Sequence, residues 1–127
     1  MIDQIQTPLL LLVDDDWMNR EIVEAQLELA GYRVLSANGG EQALELAIRH
    51  HPDLVLLDIR MYDMDGYTVC AALKQQAATT HIPVILVTAH LSNEDQGRAA
   101  AVGAAGVLLK PFDTLTLSRQ IKTLLNS

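Results

Sequence analysis

Five short apolar runs, each followed by a stretch with helical spacing, constrain the fold of this 127-residue chain more than any other feature. The runs are Leu9 to Val13, Tyr32 to Ala37, Leu54 to Leu57, Ile82 to Val87 and Val107 to Leu109. Continuous apolar character, without alternation, predicts strands buried on both faces, as in a parallel sheet covered by helices. The Tyr32 to Ala37 run is the less apolar one and reads as an edge. Strands alternating with helices call for right-handed crossovers and an α/β fold. The expected architecture is therefore a flavodoxin-like, three-layer α/β/α domain whose five-stranded parallel sheet has the order 2-1-3-4-5.

The intervening helices have legible ends. The first is expected from Asp16 to Ala30, with Met18, Ile22, Ala25 and Leu29 recurring at helical spacing and Gly31 closing it. The second follows Gly39-Gly40 and runs from Glu41 to His50, with Ala43, Leu44, Ala47 and Ile48 inward. Asp65 is a plausible N-cap for a third helix reaching about Gln76. Ser92-Asn93-Glu94-Asp95 reads as a capping box opening a fourth, to about Val102. Leu117, Ile121 and Leu124 mark the closing helix. With no repeat, low-complexity tract or linker, a single domain is expected over residues 1–127, with its core at about 9–125.

Composition narrows the function classes. The chain is 50% hydrophobic but only 4% aromatic, so Leu, Val, Ile and Ala must build the core. Nine basic against sixteen acidic residues give a net charge of −7, which argues against direct nucleic-acid binding. One cysteine, Cys70, excludes an internal disulfide and fits the reducing cytoplasm; it reads as a small core residue. Met1 to Pro8 is polar and does not resemble a signal peptide. No apolar run approaches the ~18 residues of a membrane span.

The chemistry-bearing residues fall at strand ends. Asp14 and Asp15 follow the first strand, Asp58 ends the third, Thr88 the fourth and Lys110 the fifth. In an open α/β sheet the carboxyl ends of the strands border a crevice, and the switch point of a 2-1-3-4-5 sheet lies between strands one and three. Three carboxylates at one mouth repel each other and favour a cation, and an all-oxygen set suits Mg²⁺. A carboxylate can also act as a nucleophile and form an acyl phosphate. Taken singly, each residue has a plainer reading: Asp14 to Asp16 as helix caps, Asp58 as a turn residue, Thr88 as a local hydrogen-bonding group, Lys110 as an exposed lysine. Asp63 and Asp65 read as turn and cap residues.

Together, Val13-Asp14-Asp15, Leu57-Asp58, Met64-Asp65-Gly66, Val87-Thr88-Ala89 and Lys110-Pro111-Phe112 resemble the receiver domain of two-component response regulators, over Leu9 to about Leu125. The resemblance implies that Asp58 accepts a phosphoryl group from a histidine kinase or phosphotransfer protein, and that Asp14, Asp15, Asp58 and the backbone carbonyl of Arg60 hold Mg²⁺. It implies that Thr88 is the switch hydroxyl and Lys110 the partner of the phosphoryl group, with a cis Lys110-Pro111 peptide. A phosphorylation switch of this kind is not a turnover enzyme; phosphorylation and dephosphorylation of itself are its only chemistry. Two departures stand out: Tyr62 occupies a place where the family commonly has proline, and Val107 stands where it usually has an aromatic residue. Arg60 and His90 lie where the family tunes access of water.

The fourth helix, with Gly97 inside and Ala99, Ala100, Ala101 and Val102 as its apolar surface, is expected to be weakly anchored. The face made by helix four, strand five and helix five is the expected output surface, for a downstream effector or a second copy of the chain. Alternatives of other classes are a phosphate-independent pseudo-receiver, a haloacid-dehalogenase-like phosphatase with an aspartyl nucleophile, and a flavodoxin-like cofactor binder. The phosphatase would place its nucleophile after strand one, and Asp14 to Asp16 are hostile to a flavin phosphate.

Overall fold

A computed structural model describes residues 7–125. Five strands alternate with five helices: β1 (Leu9–Val13), α1 (Trp17–Leu29), β2 (Arg33–Ala37), α2 (Gly40–His50), β3 (Leu54–Asp58), α3 (Gly66–Gln75), β4 (Val84–Thr88), α4 (Asn93–Ala101), β5 (Gly106–Leu109) and α5 (Thr114–Leu125). The strands form one parallel sheet of order β2-β1-β3-β4-β5. Fold class and strand order are those the sequence predicts, and β2 is an edge strand.

The sheet divides the core by the two-residue period of its strands. Leu11, Val13, Val55, Leu57, Val84 and Leu86 face α2 and α3, meeting Ala43, Ala47, Val69, Cys70 and Leu73. Leu10, Leu12, Leu54, Leu56, Ile85, Val87 and Leu108 face the other way, against Leu27 of α1 and Leu117 and Ile121 of α5. All of β3 and β4 is buried. Each fully buried Leu or Ile side chain contributes about 1.5–3 kcal/mol by leaving water. Cys70 is buried as expected, with its Sγ 3.5 Å from the Val102 carbonyl.

Two expectations about helix faces are corrected. Met18, Ile22 and Leu29 of α1 are exposed, at 56%, 54% and 89%; the inward residues are Leu27 and, partly, Val23. In α2, Ile48 is exposed, while Leu44 and Leu46 pack partly against the core. Both helices offer apolar residues on more than one stripe, and contact with the sheet selects among them. Boundaries move slightly too. The Tyr32 amide stays bound to the Leu27 carbonyl, so β2 opens at Arg33. The Ile82 amide is bound to the Thr79 carbonyl in a turn, and Pro83 has no N–H to donate, so β4 opens at Val84. Gly31 closes α1 with φ near +100°, a conformation that favours glycine.

Among the described residues no helix is long and apolar enough to cross a membrane. Most of the Met1 to Pro8 segment, residues 1–6, lies outside the described residues.

Candidate functional site at the carboxyl edge of the sheet

Strand register brings the acidic residues together. Val13 pairs with Leu57 and Asp58 with Val87, so Asp14 and Asp58 leave adjacent strands side by side. Ligand oxygens of Asp14, Asp15 and Asp58 lie within 4.8 Å of one another. Lys110 enters from the end of β5, with its Nζ 3.2 Å from Asp58 Oδ2 and 3.5 Å from Asp14 Oδ2. Its backbone amide is bound to the Thr88 carbonyl at 2.7 Å, and the Lys110-Pro111 peptide is cis.

The three carboxylates are held differently. Asp14 is buried and accepts from the Asp16 amide at 2.9 Å through Oδ1 and from Asn19 Nδ2 at 2.5 Å through Oδ2. Arg20 donates to its backbone carbonyl at 2.7 Å. Asp15, half-buried, accepts the Tyr62 amide at 2.9 Å. Asp16 is the N-cap of α1, accepting from the Met18 and Asn19 amides. The acidic run is thus divided between one helix cap and two carboxylates facing the mouth.

Asp58 ends β3 with its carboxyl largely buried. Burial pushes its carboxyl above the usual carboxylate range; the Lys110 ammonium opposes this, the Asp14 charge reinforces it, and the Arg60 amide opposes it in turn. The Lys110 ammonium pairs with Asp14 and Asp58, two of the three clustered carboxylates, so the mouth has donor oxygens and negative charge to spare. That donor set fits Mg²⁺. Thr88 is buried at the end of β4, where its hydroxyl donates to the His90 carbonyl at 3.0 Å and accepts from the His90 amide at 3.3 Å.

The loop between β3 and α3 closes over this edge. The Gly66 amide donates to the Ile59 carbonyl at 2.8 Å, and a Cβ on Gly66 would stand 2.6 Å from the Asp58 carbonyl oxygen. Glycine is required there by the close approach. Asp65 caps α3 through the Thr68 amide at 2.8 Å.

Several contacts are absent from the sequence reading. Asn19 and Arg20 reach back from the first turn of α1 to Asp14, a contact that short spacing after the acidic run could have signalled. Asp63 accepts from the amides of Gly40 at 3.0 Å and Glu41 at 3.1 Å, capping α2 rather than only shaping its own turn. Those hydrogen bonds hold its carboxyl below the usual range. Tyr67 donates to Asp95 Oδ1 at 2.6 Å, and Arg98 lies over the Tyr67 ring at 4.1 Å. Burial, with the Asp95 bond, pushes the Tyr67 phenol up to about 12. That bond, with those from Ser92, lowers Asp95 to about 2. Val107 packs partly against the α2/α3 side of the core.

The family model for the response regulator receiver domain matches residues 10–122. The chain belongs to that family. It is 41% identical over 115 residues to the response regulator PleD of Caulobacter vibrioides, an alignment covering 91% of this chain and 25% of PleD. It is 36% identical over 118 residues to the DNA-binding dual master transcriptional regulator RpaA of Synechocystis, covering 93% of this chain and 49% of that protein. The receiver chain thus spans a quarter to about half the length of these relatives. Among solved structures it resembles the chemotaxis protein CheY4 of Vibrio cholerae, with a TM-score of 0.88 at 32% identity, covering 94% of this chain and 100% of that one. It also resembles the receiver domain of the sensor histidine kinase PA1611 of Pseudomonas aeruginosa, described with a magnesium ion coordinated in its active-site cleft, with a TM-score of 0.87 at 31% identity, covering 96% and 100%.

Proposed function

We propose that this receiver chain is a Mg²⁺-dependent phosphoryl acceptor whose nucleophile is Asp58. The observation that supports this most is the convergence of Asp14, Asp15 and Asp58 with Lys110 at the carboxyl edge of the sheet. Asp58 Oδ attacks the phosphorus of a phosphohistidine; the P–N bond breaks, its electron pair returns to the imidazole, and an aspartyl phosphate forms. Lys110 turns from the carboxylates to a phosphoryl oxygen. The Thr88 hydroxyl exchanges its His90 carbonyl for another phosphoryl oxygen, which loosens the start of the β4–α4 segment. Asp14, Asp15, Asp58 and the Arg60 carbonyl would hold Mg²⁺. When bound, the ion neutralises charge on the phosphoryl group and relieves repulsion among the carboxylates.

In this reading the donor is a histidine kinase or phosphotransfer protein, and the domain is a switch, not a turnover enzyme. It acts in the cytoplasm, where its cysteine stays reduced. The face of α4, β5 and α5 carries the output to an effector or to a second copy of the chain. The phosphatase reading is weaker, because the carboxylate after β1 that it would use, Asp14, has both oxygens bound from the start of α1, by the Asp16 amide and by Asn19.

Intact mass after incubation with acetyl phosphate tests the proposal, with and without Mg²⁺ and beside Asp58→Asn. A Mg²⁺-dependent gain of one phosphoryl group, absent in the variant, is expected. No gain in the wild-type chain would favour a phosphate-independent interaction module.

A further inference from the structure

The exposed Tyr62 carries an unexpected contact: its backbone amide, not its ring, reaches the site. The residue is 99% exposed, whereas its N–H donates to Asp15 Oδ2 at 2.9 Å. A proline at this place has no N–H to give. The amide is presented by a loop held at both its base and its tip. At the base, the Gly66 amide is bound to the Ile59 carbonyl. At the tip, Asp63, next to Tyr62, spans the Gly40 and Glu41 amides at the N-terminus of α2, and its Oδ1 also accepts the Met64 amide at 2.9 Å.

The receiving surface suits this clip. Gly39, the residue before α2, has no side chain to cap the helix, and the Asp63 carboxylate supplies the cap from another loop. A Cβ on Gly39 would stand 2.8 Å from Asp63 Oδ1, so glycine at that place makes room for the carboxylate.

We infer that the Tyr62 amide, held in place by the Asp63–α2 clip, is a positioning group that orients the Asp15 carboxylate for Mg²⁺ and thereby sets the affinity of the proposed metal site. The inference rests on the metal-site reading above. Its physical basis is that hydrogen bonds to a metal ligand fix the ligand's orientation before the ion arrives, and losing such a partner typically weakens binding by 10–100-fold. One Asp15 oxygen is committed to Tyr62, and the other is left for the ion or its water.

Calorimetric titration of the whole chain with MgCl₂ separates the possibilities. Tyr62→Ala keeps the amide and should bind Mg²⁺ within about twofold of wild type. Tyr62→Pro removes the amide, and Asp63→Ala releases the loop; each should weaken binding about tenfold. Asp63→Asn keeps one acceptor oxygen and should fall between. Asp113→Ala removes a comparable cap, that of the Thr116 amide at 2.6 Å in α5, and should lower thermal stability while leaving Mg²⁺ affinity unchanged. Wild-type-like affinity in a folded Tyr62→Pro chain would overturn the inference, as would equal losses in Tyr62→Ala and Tyr62→Pro. If Tyr62→Pro does not fold, unchanged affinity in Asp63→Ala overturns it. A wild-type chain that takes no Mg²⁺ overturns the metal site itself, a different failure.

Discussion

The loop after β3 and the segment after β4 leave neighbouring strand ends, yet they are held in opposite ways. The first is fixed by hydrogen bonds to Asp15, to the α2 amides and across its own base, and it leads into α3, which buries Tyr67, Val69, Cys70 and Leu73. The second turns on Thr88 and His90 and leads into α4, which buries only Asp95 and Ala99. The contrast fits the proposed division of labour: one side would keep the proposed metal ligands in register, and the other would respond if, as proposed, a phosphoryl group recruits Thr88. The two sides meet at the Tyr67–Asp95 hydrogen bond, which ties the first turn of α3 to the first turn of α4.

The largest difference should appear in core truncations. Leu73→Ala on the α3 side removes a fully buried side chain and should cost about 3 kcal/mol in denaturant unfolding. Ala99→Gly on the α4 side should cost only about 1 kcal/mol. Equal costs would erase the proposed asymmetry.

Tyr67→Phe removes the bond between the two sides. It should cost about 1.5 kcal/mol and speed hydrogen exchange in α4 while leaving the Asp63-clipped loop protected. In the opposite direction, Gly97→Ala should stabilise the chain by about 1 kcal/mol, because a Cβ there meets nothing within 4 Å. Slower exchange confined to α4 would confirm that this helix opens locally.

The smallest effects are those of pH, and the two sides differ in sign. Asp95 is lowered from 3.8 to about 2, so its contribution is present above pH 3.8 and is lost as pH falls towards about 2. Acid should therefore release α4 early, as read by hydrogen exchange. Asp58 is raised above 3.8 by burial. The folded metal-free chain thus holds its proton more tightly than the unfolded chain, and stability falls as pH rises through the raised value. Asp58→Asn removes that charge and should melt above wild type at pH 7 without metal, the gap narrowing on acidification.

The sequence carried the features set by periodicity and position. Continuous apolar runs revealed β1, β3 and β4, and the strand-end placement of Asp14, Asp58, Thr88 and Lys110 followed from them. It could not choose between the Met18/Ile22/Leu29 stripe and the Val23/Leu27 stripe of α1, because both have helical spacing and only the approach of the sheet decides. Nor did it pair Tyr67 with Asp95, 28 residues away, or Asp63 with α2, because such contacts depend on packed distance and leave no local pattern. The Tyr62 amide was hidden for another reason: a backbone donor has no residue signature except the absence of proline.

The most direct test is hydrogen exchange on the Mg²⁺-loaded chain before and after phosphorylation by acetyl phosphate, comparing residues 59–66 with residues 89–101. Protection should hold steady in the first segment and change in the second. A change confined to 59–66, with 89–101 unaltered, would contradict the account.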